Sequence, residues 1–390
     1  MSKIQYIFQA GSLYREFRER RMRFGVNLPQ LTQDGVSIYK VDFVSNNYSC
    51  LLREDQDVVD NIQFPYMLFL PEGNKQFDEV IIILNGLNES EYRKFFPWAA
   101  SFAASGIPTI IFPIAFLINR RPKGWFIPEE VGKKLSVRRN LEGNSTCTSY
   151  NVILSERLHE HPERFFLAGL QTYNDMIDLV NTLYCGEYRV WREDRTFSPF
   201  TKGTRVHFLG YSLGGYLALI LFLGVGDNPI LSQGKLIIFC SGAAINSHDP
   251  DLNANPISPL ILDRNASERL IEFYKQGKNF PHMEKVEALM FKAVFLSDQS
   301  ILGPNLERLK KRIGVIGSGN DKVIPIKGMG KNLGWVDENL KLGIHEYPFN
   351  VQSHDQPNLE REMSRSYDIA KEFQEGFKRF VDSTIIAVCD

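Results

Sequence analysis

The sequence predicts an α/β fold built on a central, mostly parallel sheet with helices on both faces. Three observations predict it. Asp78-Glu79-Val80-Ile81-Ile82-Ile83-Leu84 ends in a continuous apolar run, the pattern of a parallel strand covered on both sides. Strand-like and helix-like segments alternate along the chain, as they do where crossover helices join parallel strands. Arg205 to Phe222, RVHFLGYSLGGYLALILF, joins a short buried strand to an apolar helix through glycines set around one serine.

The elements follow in order. Residues 1–35 carry Arg15, Arg18, Arg20, Arg21 and Arg23 interleaved with Glu16 and Glu19, which reads as an amphipathic helix with a solvated face. Val36–Val44 and Phe64–Leu70 are rich in β-branched and aromatic residues and read as strands. The strand ending at Leu84 runs into Asn85-Gly86-Leu87-Asn88. Tyr92–Ala104 then reads as a helix stopped by Gly106 and Pro108, and Thr109–Phe112 as the next strand. Residues 118–165 break the alternation: NRRPKGWFIPEE is basic, aromatic and punctuated by proline, and EGNSTCTSYN reads as loop. An insertion of that size is expected to be a lid or binding loop.

Phe166–Leu183 resumes a helical pattern, with Leu170, Tyr173, Met176, Ile177, Val180 and Leu183 on one face. Lys235–Cys240 is a core strand. Residues 247–311 form a second, mostly helical insertion, with a helix start at Asn265 and Glu268 and a further apolar-faced helix in EKVEALMFKAVFL. Arg312–Ile316 and Leu342–Tyr347 read as strands. Asn358–Val381 closes the chain as an amphipathic helix with Met363, Ala370, Phe373, Phe377 and Phe380 on its apolar side. The expected organisation is an N-terminal extension over 1–60 and one domain over 61–390, with insertions at about 118–165 and 247–311.

Composition narrows the function. At 43% apolar and 23% charged residues the chain has material for a large core. A formal net charge of −1 supplies no field that would draw it to nucleic acid. The five cysteines are widely spaced and form no C-x-x-C pair, which argues against a zinc site or a disulfide framework. The first residues lack an apolar run of signal-peptide length, and no stretch approaches the ~18 apolar residues of a membrane span. A cytoplasmic location is the default expectation.

Gly210-Tyr211-Ser212-Leu213-Gly214 is a G-x-S-x-G strand–turn–helix. On so sharp a turn the central side chain is held in a strained conformation, and its neighbours at two positions before and after must be small. Ser212 is therefore the candidate nucleophile. Two further segments follow: Gly317-Ser318-Gly319-Asn320-Asp321-Lys322-Val323-Ile324-Pro325 directly after a strand, and His354 in PFNVQSHDQP, between the last strand and the last helix.

In this order of nucleophile, acid and histidine the chain resembles the α/β-hydrolase superfamily over roughly residues 60–390, less the insertions. The resemblance implies a site at the carboxyl ends of the strands, with Ser212, Asp321 and His354 as a catalytic triad. It implies backbone amides of Leu213 and Leu87 as oxyanion donors, and no cofactor or metal. Where relatives commonly have His-Gly after the corresponding strand, this chain has Asn85-Gly86.

Seven histidines compete for the role of base. His207 lies within the serine strand and His345 in or beside the last one, where core residues are expected. His159 and His161 flank Glu160 in a polar segment without a nearby third metal ligand. His248 and His282 belong to the second insertion. His354 alone sits in a loop after a core strand. For the acid, Asp249 in Ser247-His248-Asp249-Pro250-Asp251 rivals Asp321. Asp321 is favoured because it follows a compact strand directly, within a glycine turn, whereas Asp249 precedes a proline that biases it to extended backbone.

Both insertions leave the sheet at the edge where the site must lie, so they are expected to cover Ser212. Arg120, Arg121 and Trp125 are candidate lid or substrate contacts. The expected function is hydrolysis of a small-molecule ester, thioester or amide through an acyl-enzyme. An acyltransferase using the same triad, or a non-catalytic binding module, stands as the alternative.

Overall fold

The structure is a computed structural model that describes residues 30–33, 35–73, 76–92, 94–141, 144–192, 195–245, 261–276, 280–282, 285–317, 321, 323–324, 326–333 and 367–389. The expected helix in residues 1–35, the strand Leu342–Tyr347, His354 and Asp249 lie wholly or mostly outside them.

Ten strands are described: β1 (Gln30–Gln33), β2 (Val36–Val44), β3 (Gln63–Pro71), β4 (Phe77–Leu84), β5 (Thr109–Phe112), β6 (Val190–Arg192), β7 (Arg195–Phe197), β8 (Phe200–Tyr211), β9 (Leu236–Phe239) and β10 (Ile313–Ile316). Eight of them form one sheet in the order β1-β2-β3-β5-β4-β8-β9-β10, while β6 and β7 pair separately. From β5 to β10 every pairing is parallel; β3 pairs antiparallel with both β5 and β2. This is the mostly parallel α/β sheet the sequence predicts. The expected boundary at residue 60 is corrected: β2 pairs with β3 over its whole length, from Val36–Pro71 to Val44–Gln63, so residues 36–44 belong to the main sheet. Their alternating β-branched and aromatic residues bury one edge of that sheet rather than forming an appendage.

The sheet is covered on both faces because its central strands carry continuous apolar runs, Val80–Leu84 in β4 and Leu236–Phe239 in β9. In β4, Val80, Ile82 and Leu84 enter one core cluster, and Ile81 and Ile83 enter the other. A period of two sends successive side chains to opposite faces, so a continuous apolar run must be roofed twice. The first face carries α4 (Glu163–Tyr184) and α5 (Leu213–Val225). The second carries α1 (Phe96–Ala104) and α10 (Tyr367–Cys389). Phe380 of α10 anchors the second layer, with its ring 5.1 Å from Trp98 and 4.8 Å from Phe239. Fully burying such a side chain contributes roughly 1.5–3 kcal/mol. α1 begins four residues later than expected, with Pro97 in its first turn, where a missing N–H costs nothing.

The first insertion holds two helices that its loop-like composition concealed, α2 (Pro128–Arg139) and α3 (Val152–Glu160). The signs for α2 are local: proline at its start, Glu129 and Glu130 in the first turn, Arg138 and Arg139 in the last. The second insertion contains α6 (Arg264–Lys275), α7 (Val286–Leu296) and α8 (Gln299–Leu309). A last short helix, α9 (Ile326–Leu333), follows β10. Asp263 rather than Asn265 caps α6, accepting the Ala266 N–H at 3.0 Å. The same carboxylate takes two bonds from Arg138 of α2, at 2.6 and 2.8 Å, and one from Asn144 at 3.0 Å. A buried fork of this kind ties the two insertions together, and removing either partner would strand the other's charge. Among the described residues, no helix is long and apolar enough to cross a membrane.

Candidate active site

Ser212 stands at the junction of β8 and α5 with φ 51° and ψ −119°. A side chain at positive φ is strained by about 1–3 kcal/mol and persists only where its surroundings over-determine it. Here the surroundings are glycines in close packing. A Cβ at Gly210 would lie 2.4 Å from the Gly215 Cα, and one at Gly214 would lie 2.3 Å from the Leu84 carbonyl oxygen. Strand, turn and helix thus meet at distances only hydrogen allows. The Ser212 N–H donates to Phe239 O at 3.0 Å, and its carbonyl accepts the first helical bond from Gly215 at 2.9 Å. The hydroxyl-bearing side chain is half-buried at the carboxyl end of the sheet.

The loop after β4 lies beside it. A Cβ at Gly86 would approach the Tyr211 ring to 3.0 Å and the Ser212 Cβ to 3.3 Å, so any larger residue here would press on the tyrosine and the serine. Asn85 is fully buried and acts as a brace. Its Oδ1 accepts the Ile114 N–H at 2.9 Å, and its Nδ2 donates to Gly86 O at 2.9 Å. Two residues beyond Gly86, Asn88 has φ 63° and donates its amide to Ile261 O of the second insertion at 2.9 Å. Leu87 and Leu213 both line one cavity at this edge.

Asp321 follows β10 and is 1% exposed. Its Oδ1 accepts the N–H groups of Val323 and Ile324, each at 2.8 Å. Burial pushes its carboxyl above the ordinary 3.8, against those two bonds, a further one from the Cys240 thiol and the charge of Lys94. Ser212, Cys240 and Asp321 therefore occupy the loops beyond three neighbouring parallel strands, β8, β9 and β10. Cys240, at φ 47°, was not singled out by the sequence; its place as the last residue of KLIIFC is the only sign of it.

The cavity measures about 520 Å³. Trp125 and Ile153 come to it from the first insertion, Phe291 and Phe295 from the second, and Phe165 and Leu217 from α4 and α5. Trp125 stacks on Phe116 with ring centroids 5.9 Å apart, and Arg157 lies 4.3 Å above its ring. Arg121 also reaches the wall. Arg120 does not, and its expected role as a lid or substrate contact is corrected. It is 0% exposed, and its guanidinium donates to Asp175 at 2.8 Å, to Asn61 Oδ1 and O at 3.1 Å each, and to Pro113 O at 3.2 Å. Of the two adjacent arginines, Arg121 lines the cavity and Arg120 turns inward to Asp175. The aromatic wall from α7 was legible only as an apolar helix face, because periodicity does not distinguish a core lining from a cavity lining.

Solved structures similar to the chain include esterase Est22, with 13% identity, 82% of this chain and 75% of that chain covered, and a TM-score of 0.35. An acetyl xylan esterase from Paenibacillus sp. R4 matches with 12% identity, 85% and 83% coverage and a TM-score of 0.37. A serine hydrolase from Cycloclasticus zankles matches with 14% identity, 76% and 86% coverage and a TM-score of 0.35. Likenesses this distant carry no argument about the chemistry of the chain. No functionally curated protein matches it. The model of the family of unknown function DUF6051 matches residues 31–384, and the chain belongs to that family.

Proposed function

We propose that the chain is a serine hydrolase that cleaves a small-molecule ester, thioester or amide through an acyl-enzyme. The observation that carries the reading is the strained backbone of Ser212, φ 51° and ψ −119°, held between a parallel strand and a buried helix by glycines with no room for a Cβ. Strain kept at a hydroxyl-bearing residue one position before Leu213, which lines the cavity, is what a nucleophile's turn requires, and a structural serine has no need of it.

In this reading Ser212 attacks the acyl carbonyl while His354 takes its proton. Asp321 holds the imidazole in the right tautomer and stabilises the imidazolium. The N–H groups of Leu213 and Leu87 receive the oxyanion; losing one such donor typically costs on the order of 10²–10³ in rate. The alcohol, thiol or amine departs with the proton from His354, and water then releases the acid by the same route. The two insertions act as a lid over the site.

A fluorophosphonate tests the reading. It should label the full chain at Ser212, located by peptide mass spectrometry, and leave Ser212→Ala unlabelled. Ester hydrolysis across a series of acyl lengths should vanish in the same variant. The proposal fails if the chain is neither labelled nor hydrolytic. It also fails if Ser212→Ala keeps activity within about tenfold, a barrier change of only ~1.4 kcal/mol.

A further inference from the structure

The cavity wall is mainly carbon, yet Arg121, Arg157, Arg164 and Glu89 reach it. Three of these charges are already answered within the chain. Arg157 donates to Asp55 at 2.7 Å, Arg164 to Asp55 at 3.1 Å and to Glu54 at 2.5 Å, and Glu89 accepts from Lys94 at 2.9 Å. Arg121 differs. Its guanidinium lies 3.9 Å from the Phe126 ring centroid, and its one hydrogen bond among the described residues is a long 3.4 Å contact to the Ser90 carbonyl. Among the described residues no carboxylate lies within 4.0 Å of it; the charge of Glu91 reaches it without contact. Arg121 is half-buried, and burial disfavours its charged form. A guanidinium carries five donors in a planar fork, a shape that matches the two oxygens of a carboxylate or phosphate. Most of those donors are unspent, and they border an apolar space.

We propose that the cavity receives an amphipathic anion, with its apolar body against Leu117, Leu158, Phe291 and Phe295 and its carboxylate or phosphate head on Arg121. At ~30 Å³ per water the space equals roughly 17 waters, room for a medium-length chain or a substituted ring. Resting on the hydrolase reading, this narrows the substrate to an ester, thioester or amide whose apolar part bears a second, anionic group that the reaction leaves untouched. Water supplies the only other reactant. The binding half of the proposal does not depend on that reading.

The test is calorimetric titration of full-length Ser212→Ala with octanoate, octyl phosphate and octanamide, which share one chain length and differ in the head. At least one anion should bind at least tenfold tighter than octanamide, and the preference should shrink at high salt. Octanoate or octyl phosphate leading the other identifies the head. Adding Arg121→Gln should cut the preference below threefold and leave octanamide unchanged. The proposal is overturned if the three bind alike, if none binds, or if the preference survives Arg121→Gln, which would put the head on the backbone amides near Ser212. Should the double variant fail to fold, the three-ligand comparison and its salt dependence in Ser212→Ala decide alone. Fluorophosphonate labelling of the unaltered chain separates the two ideas. Labelling without anion preference removes only this inference, and preference without labelling removes only the hydrolase reading.

Discussion

Arg120→Met should destabilise the fold while leaving the cavity wall chemically intact, because Arg120 and Arg121 serve different sides of one turn. Methionine keeps an apolar stem but is shorter and lacks the guanidinium, which sits 3.9 Å above the Phe64 ring. What disappears is the 2.8 Å bond to Asp175, whose side chain is 0% exposed, together with the bonds to Asn61 and Pro113. Breaking a buried pair by removing one partner costs about 3–5 kcal/mol. Asp175 keeps two donors, Ser45 Oγ at 2.6 Å and Asn47 Nδ2 at 3.0 Å, so the lower end applies. For 390 residues at ~2.1 cal/mol/K each, the unfolding entropy near Tm is about 0.8 kcal/mol/K. A loss of ~3 kcal/mol then lowers Tm by roughly 4 °C, and ~5 kcal/mol by roughly 6 °C. Urea unfolding and thermal circular dichroism measure both quantities. Asp175→Leu in the same chain should restore part of the loss, so that the double variant falls short of the sum of the singles by at least ~1 kcal/mol. A single-variant loss under 1 kcal/mol, or strict additivity, would refute the account of Arg120 as a buried anchor.

Three further outcomes follow from the site. Ser212→Gly should be more stable than Ser212→Ala by about 1–3 kcal/mol, since alanine keeps the Cβ at φ 51° and glycine removes it; equal melting curves would mean the turn is unstrained. Gly210→Ala places a Cβ 2.4 Å from backbone and should cost at least the ~1–3 kcal/mol of core overpacking, read as a lower urea midpoint or loss of folded protein; wild-type stability would show that the elbow can open. Asp321→Asn should cut kcat by up to ~10⁴ against any ester the chain hydrolyses, with Asp249→Asn costing much less; the reverse order would make Asp249 the acid.

The Asp321→Asn variant also has a stability signature with a definite sign. The folded-state pKa is raised above 3.8 by burial, so at neutral pH the carboxylate is charged in folded and unfolded chains alike and only the fold bears the desolvation cost. Below 3.8 the group is neutral in both states and that cost is gone. Asparagine should therefore match or exceed the parent's Tm at pH 7, with its advantage fading as pH falls through the raised pKa. An advantage that grows toward acid would contradict the assigned direction.

What the sequence by itself determined is whatever local pattern dictates. A short β-branched run with no polar position, such as Val80–Leu84, reads as a strand roofed on both faces, and it is. Glycines at 210, 214 and 215 around a serine, between a strand pattern and a helix pattern, already demand the sharp junction seen at Ser212. Other features depended on partners far away in the chain. Nothing local distinguishes Arg120 from Arg121; that one is locked to Asp175 and the other borders the cavity follows from where α4 packs. Asp263 displaced Asn265 as a cap because Arg138, from the other insertion, holds its carboxylate in place. Residues 36–44 read as a strand but not as part of the main sheet, since pairing with β3 is a matter of register between separate segments. For the two charged cases the physical reason is shared. Periodicity and turn chemistry act within a few residues, whereas a buried charge takes its role from whichever opposite charge the fold brings within 3 Å, and only the tertiary structure makes that choice.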